Sequence, residues 1–321
     1  MGTILAVAEL ARYQDGPARV VISSDGADLV FRTDYGDGGR SNITESRMRV
    51  ADFVARGEGP WPWYDLGPRR VGALQVLAAL GVEPPAWTEA LRPDVLDLFR
   101  RAQRGDSAVI ELLAMGADPD PVDACGASPL WYAVRSPGSG IAVALIDAGA
   151  DAGRRIELSA RGERYTTILH EIVREGRTVA LNHALVNGAT PTLIDSDGAT
   201  PMHVVGGDGD NVNPEVVRAL ARAGAAVDAA MPDGTLPIDR AARLLLPRTV
   251  AALVELGADP GRGLDTLLAW WATAVKFDAY RAGVVAEVTE VLRAGGARVT
   301  ERHRELAASA GAEQVIAALR H

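Results

Sequence analysis

The sequence has one cysteine, Cys125, and one lysine, Lys276, in 321 residues. A lone cysteine excludes an internal disulfide and any zinc site built on cysteines. No apolar run reaches the ~20 residues that a helix needs to cross a bilayer. Met1-Gly-Thr-Ile-Leu has no basic start and runs into Glu9 and Arg12, so a secretory leader is not expected. Positive charge is short as well. The formal net charge is −9, whereas nucleic-acid binding normally requires a basic face. Aromatics are 5% of the residues against 48% hydrophobic overall, which leaves the core to Ala, Leu and Val. The expectation is a soluble cytoplasmic chain with no membrane span and no nucleic-acid partner. Its length exceeds one ordinary compact domain.

What is present is periodic. An apolar helical run, 108–115, stops at Gly116-Ala-Asp. The same stop returns as Gly149-Ala-Asp, Gly188-Ala-Thr, Gly224-Ala-Ala, Gly257-Ala-Asp and Gly296-Ala-Arg, at intervals of 33 to 39 residues. A near-constant period of this size marks a repeat protein. Upstream of four of these stops lies a second landmark: Gly126-Ala-Ser-Pro-Leu130, Thr166-Thr-Ile-Leu-His170, Gly198-Ala-Thr-Pro-Met-His203 and Gly234-Thr-Leu-Pro-Ile-Asp239. Ser or Thr there can cap a helix by accepting a bond from a free backbone N–H. Pro in the first turn gives up only a donor that had no partner. Gly at the far end takes the left-handed conformation that ends the second helix.

Together these motifs resemble the ankyrin repeat. The resemblance implies two helices and a finger loop per repeat, with the helices of neighbours stacked. Repeats are expected at about 92–121, 122–153, 160–191, 195–229, 231–261 and 263–297. The expected fold class is an all-α ankyrin-repeat solenoid with a small N-terminal α+β cap. The expected division is a mixed cap at 1–57, a degenerate capping repeat at 58–91, six repeats over 92–297 and a closing helix pair at 298–321. Within the cap, 18–23 and 27–33 read as two strands around Ser24-Asp25-Gly26. Segments 4–13 and 45–56 read as helices. Insertions are expected at 153–164, 206–213 and 276–281. The near-absence of lysine beside many arginines fits a GC-rich coding sequence, so a bacterial source is expected.

Candidate chemistry is thin. In the ankyrin family the motif histidine braces its turn, which implies a structural role for His170 and His203. His183, His303 and His321 have no carboxylate and nucleophile at a telling spacing. Asp208, Asp210, Asn211 and Asn213 suggest a calcium loop, yet the fifth and twelfth positions are Val212 and Ala219, and the match fails. Gly36–Gly39 and Gly206–Gly209 lack the Lys-Ser/Thr of a phosphate cradle. Ser128 reads as a cap and Cys125 as inert. Of Trp270 and Trp271, adjacent on a helix, at most one is expected to face fully inward. Trp61, Trp63 and Tyr64 fit either cap core or a partner interface. No catalytic residue, cofactor or metal is expected.

Recognition is then left to positions that the motif does not occupy. The ends of the first helices carry Arg104, Arg135-Ser136, Arg174-Glu175 and Arg243. The fingers carry Arg164-Tyr165, Ser196-Asp197 and Asp233. Arginine forks pair well with carboxylates and are favoured at interfaces. The expected function is non-catalytic binding, on the concave ankyrin face, of a protein partner that exposes carboxylates. One version is an inhibitor or immunity-type protein. The alternative is a small N-terminal enzymatic or effector domain targeted by the repeats. Partner identity and oligomeric state are not readable.

Overall fold

The computed structural model describes residues 3–10, 18–34, 43–56, 68–85, 93–123, 126–136, 138, 140–158, 163–206, 214–273, 279–309 and 313–320. The chain divides into two compact units, residues 1–150 with 156–162, and residues 151–155 with 163–321.

The first unit opens with strands β1 (Thr3–Leu10), β2 (Ala18–Asp25), β3 (Asp28–Asp34) and β4 (Ile43–Arg49), an antiparallel meander in sequence order. Two of these strands were expected as helices or parts of helices, and the structure corrects both. Of segment 4–13, the described residues up to Leu10 pair as β1 with β2. Segment 45–56 pairs as β4 with β3 up to Arg49 before helix α1 (Val50–Arg56) begins. A lone β2–β3 hairpin would leave a row of unpaired N–H and C=O groups on each side, and two strands are marginal in water. Flanking strands satisfy both edges.

One face of this sheet is packed. Ile22 stands opposite Phe31, and Leu29 opposite Met48. Ile22, Leu29 and Phe31 form a core with Phe53 of α1 and with Val76 and Leu77 of α2 (Pro68–Ala79). Helix α2, expected in a capping repeat, lends Val76 and Leu77 to the core under the sheet. The other face carries charge, with Arg47 donating to Asp25 at 2.9 Å.

The unit continues with α3 (Pro93–Arg104), α4 (Ala108–Ala114), α5 (Pro129–Arg135) and α6 (Gly140–Asp147). The first helices pack on each other, α3 on α5, and the second helices do likewise, α4 on α6. Phe99 meets Tyr132 edge-on, with centroids 5.7 Å apart.

A two-stranded ribbon follows, β5 (Arg155–Glu157) and β6 (Tyr165–Thr167). With two sheets beside its helices, the chain is mixed α/β, and the all-α expectation is overturned.

The second unit holds α7 (Ile168–Arg174), α8 (Thr178–Val186), a 3-10 turn Pro201–Val204, α9 (Pro214–Arg222), α10 (Pro237–Arg243), α11 (Pro247–Glu255), α12 (Pro260–Thr273), α13 (Ala279–Ala294), α14 (Glu301–Ser309) and α15 (Glu313–Ala318). Helices form two layers. One runs from α7 through the 3-10 turn, α10 and α12 to α14; the other runs from α8 through α9, α11 and α13 to α15. Every second helix from α4 to α13 ends in the same way. At Gly116, Gly149, Gly188, Gly224, Gly257 and Gly296, φ lies between 90° and 107°. Each glycine N–H bonds the carbonyl three residues back, and the next N–H bonds the carbonyl five back, as in Gly188 to Leu185 and Ala189 to Ala184. A Cβ on any of the six would touch nothing within 4 Å, so the requirement is conformational rather than steric.

Of the insertion expected at 206–213, residues 207–213 lie outside the described residues, as do 276–278 of the one expected at 276–281, whose 279–281 begin α13, and Cys125, Trp61, Trp63 and Tyr64. No helix among the described residues is long and apolar enough to cross a membrane.

Candidate partner-binding surface

The fingers are built by short-range bonds. In the second unit Asp195 N–H bonds Ala199 O at 3.0 Å, and Gly198 N–H returns to Asp195 O. Met231, Thr235 and Gly234 repeat that pattern one finger on. Asp195 is buried, and its Oδ1 accepts the amides of Asp197 and Ala199, each at 2.9 Å. The first unit has the same finger at Asp123, whose Oδ1 accepts Ala127 N–H while its Oδ2 accepts the Tyr132 hydroxyl at 2.6 Å.

The motif histidines tie each finger to the next. His170 Nε2 lies 2.9 Å from Ala199 O, and its Nδ1 lies 2.8 Å from Thr167 Oγ1. His203 Nε2 lies 3.2 Å from Thr235 O, while Nδ1 accepts Thr200 N–H at 3.1 Å. A carbonyl accepts only, so Nε2 carries a proton in both rings, and His203, whose Nδ1 accepts an amide, is neutral. Burial pushes both imidazoles below their ordinary pKa, with the carbonyl bonds acting the other way. The structural role expected for these histidines has this geometry as its basis. His303, the third histidine to hold the position, has Nε2 2.7 Å from Asp265 Oδ1.

Two repeats replace the histidine. In α5 it is Trp131, 3% exposed, with the Arg135 guanidinium 3.8 Å above its ring. In α10 it is Asp239, also 3% exposed. Its carboxylate accepts the Leu236 amide at 2.9 Å, Thr266 Oγ1 at 2.6 Å and two nitrogens of Arg262 at 2.8 to 3.0 Å. Burial alone would raise that carboxyl; the bonds from Arg262 and Thr266 outweigh it and hold it below its ordinary value.

The residues expected to bind a partner are distributed unevenly. Arg104, Arg135 and Ser136 are in the first unit, and the rest are in the second. Arg104 and Arg243 are exposed at the ends of α3 and α10. Arg135 is half-buried on Trp131, and Ser136 is 3% exposed, inside the fold. Arg174 bonds the buried Glu171 at 2.5 Å, and Glu175 is half-buried 3.9 Å from Arg177. Arg164 is exposed, and Tyr165 is half-buried beneath the Arg155 guanidinium, 3.6 Å from its ring centroid. Ser196 N–H donates to Tyr165 O at 3.0 Å, which joins two fingers. Asp197 and Asp233 are exposed. The Thr235 amide holds the Asp233 carboxyl below its usual range, and Arg243 adds to that from nearby.

Two functional-looking arginines escaped sequence reasoning. Arg155 sits in the lengthened hairpin before β6, where the repeat offers no register. Arg262 could have been found, because Asp239 in place of histidine demands a charged partner. Among the described residues no group of three or more His, Cys, Asp or Glu side chains could hold a metal ion.

No protein-family model matches this chain. A putative ankyrin repeat protein of fowlpox virus is 30% identical to it over 92 residues, which are 29% of this chain. The match spans 60% of the viral protein's length. This similarity and the repeated finger, helix pair and glycine stop both support ankyrin-type repeats.

Proposed function

We propose that the chain is a non-catalytic interaction module that holds a protein partner on the fingers and first-helix ends of its repeats. The carrying observation is a division of labour. Motif positions are consumed by internal bonds, as at Asp195, His170 and His203. Side chains beside them, such as Arg164, Asp197, Asp233 and Arg243, stand exposed on a backbone fixed by those bonds. Rigid presentation lowers the ordering cost of association. Arg135 and Arg174, committed to Trp131 and Glu171, support the surface more than they contact a partner. If the partner is an enzyme, the same surface serves as an inhibitor by covering that enzyme's site.

The test begins with affinity capture from native cells and purification of the retained protein. Arg104→Glu with Arg243→Glu is expected to weaken that complex about tenfold, near 1.4 kcal/mol. The melting temperature should stay within about 2 °C, because both side chains are exposed. Unchanged affinity for the purified partner would remove these helix ends from the surface.

A further inference from the structure

We infer that the outer edge of β4 pairs antiparallel with the same edge of a second copy of this chain, joining two four-stranded sheets about a two-fold axis.

β4 ends its sheet, and among the described residues no strand pairs with its outer side. Hydrogen-bond parity shows which of its groups face out. In an antiparallel ladder, bonded residue pairs alternate with non-bonded ones. Val50 N–H bonds Ala27 O at 2.9 Å, one step beyond the pair in which Asp28 stands opposite Arg49. Counting in twos from Val50, Met48, Ser46 and Thr44 turn their N–H and C=O groups to β3. Those of Ile43, Glu45, Arg47 and Arg49 therefore point away from the sheet.

The two edges of the sheet are treated differently. β1 is interrupted by a bulge between Ile4 and Ala6, and α2 packs against it. β4 keeps an unbroken register with β3 and contains no proline or lysine. Bulges, coverage, proline and lysine are the devices that keep an edge from pairing, and β4 has none of them among the described residues.

Charge selects the occupant and the register. Glu45, Arg47 and Arg49 share one face of β4, and all three are exposed. On β3, Arg32 stands opposite Glu45 and Asp28 opposite Arg49. Arg47 donates to Asp25 at 2.9 Å across the sheet and has Glu45 at 3.7 Å. Even so, the side chains of Glu45 and Arg47 remain 52% and 54% exposed. When two copies meet antiparallel with Ser46 opposite Ser46, each Glu45 faces the second copy's Arg47. Those are also residues whose outward backbone groups point at one another, so sheet bonding and charge pairing coincide. A shift of two residues either way sets Glu45 against Glu45 or Arg47 against Arg47, which is unfavourable. A second copy supplies this complement by symmetry alone. An edge of seven residues is a small interface, so the dimer is weak and forms at high concentration.

The experiment is sedimentation velocity on the full-length chain, from about 10 µM to about 500 µM, the range suited to a small interface. Mass is expected to rise from monomer toward dimer across it. Glu45→Arg and Arg47→Glu each set like charges opposite at both symmetric positions, and each should weaken self-association about tenfold. An equimolar mixture of the two variants should associate as the parent does. The double variant Glu45→Arg with Arg47→Glu should do so too, because it restores opposite pairs in the register centred on Ser46. These side chains are exposed, and thermal melts verify folding. Amide exchange gives a second readout: the Glu45, Arg47 and Arg49 amides should slow at high concentration, while those of Ser46 and Met48 stay as they are. A chain that remains monomeric at the top concentration overturns the inference. So do single variants that associate like the parent, a mixture that does not recover, or a dimer whose β4 amides exchange as in the monomer.

Discussion

The repeat opening at Thr200 and the one at Leu236 meet the same need with different chemistry. At Thr200 a neutral imidazole, His203, reaches the next finger's Thr235 carbonyl. At Leu236 a carboxylate, Asp239, draws Arg262 and Thr266 from the next first helix, and Arg262 also reaches back to Gly234 O at 2.9 Å. The imidazole needs only a backbone carbonyl, which every neighbour supplies. The carboxylate needs particular side chains on α12. The first solution lets repeats be generic, and the second makes the α10 and α12 repeats specific to each other. The same anatomy thus carries an interchangeable joint and a keyed one.

The keyed joint should break hardest. Arg262→Ala leaves Asp239, 4% exposed at its side chain, as a buried carboxylate without its cation. Removing one partner of a buried pair costs roughly 3 to 5 kcal/mol. Arg262 is itself 46% exposed, so solvent screening puts the expected loss near the lower end, about 3 kcal/mol. Urea midpoints of parent and variant measure it. A loss under about 1 kcal/mol would mean that Thr266 and the Leu236 amide suffice.

Gly198→Ala comes next. It attacks the finger contact beside the histidine joint. Gly198 has φ of 79°, and its new Cβ would press on Pro232 at 2.5 Å. The left-handed conformation costs an alanine about 1 kcal/mol. The clash adds a comparable amount, so about 2 kcal/mol is expected. Gly188→Ala, with φ of 93° and open space around it, should lose only the conformational part. Equal losses for the two glycines would show that Pro232 yields.

Acid separates the two joints. His170 and His203 have folded pKa values below the unfolded value of about 6.5. The unfolded chain therefore takes up protons first as pH falls. Their contribution is whole above about 6.5 and is lost as pH drops from there toward the folded values, by up to about 1.4 kcal/mol per unit for each histidine. Asp239 is also depressed, but from 3.8. Its contribution stays whole until pH falls below that value. Between pH 7.5 and 5, stability should fall through the histidines, and His203→Gln should flatten the slope, whereas Asp239 paired with Arg262 adds nothing in that window. Denaturant titrations at several pH values read both slopes; a slope untouched by His203→Gln would move the effect elsewhere.

The repeat region was largely legible because its signals are local. A glycine stop, a Thr cap and a histidine three residues later lie within one repeat, and the structure forms them from those residues, as at Thr167 and His170; Ser128, expected as a cap, holds the N-cap position of α5 without a side-chain bond to the helix. The N-terminal sheet was legible only in its hairpin. β1 and β4 are made by pairing with strands that local propensity does not foresee, so 4–13 and 45–56 read as helical. One signal was present: Glu45, Arg47 and Arg49 are exposed while Ser46 and Met48 are half-buried, a period of two. In the candidate surface, the finger positions were readable from the repeat. Commitments inside the fold were offered by spacing and passed over: Arg135 stacks on Trp131 four residues back in α5, and Arg174 bonds Glu171 three residues back in α7; only the burial of Trp131 and Glu171 is tertiary.

The smallest effect sits at the turn that follows the keyed joint. The first helices α3 and α7 end at Gly105 and Gly176, with φ of 69° and 64°. Helix α10 ends with Leu245 in the same place, φ 58°, alone among described non-glycine residues in being positive. Its amide bonds Ala242 O, and Leu246 N–H bonds Ala241 O, just as Gly176 and Arg177 bond Val173 and Ile172. The backbone is therefore the glycine turn with a side chain imposed on it, at a cost of roughly 1 to 2 kcal/mol. Leu245 is half-buried, and its packing recovers part of that. Leu245→Gly should stabilise by about 0.5 kcal/mol, visible as a melting temperature raised by a degree or two. Gly176→Leu should lose more, since there no pocket has formed around a leucine. A fall in stability for Leu245→Gly would show that the leucine's burial outweighs its strain, and that the turn beside the ion pair is held by packing where its counterparts are held by glycine.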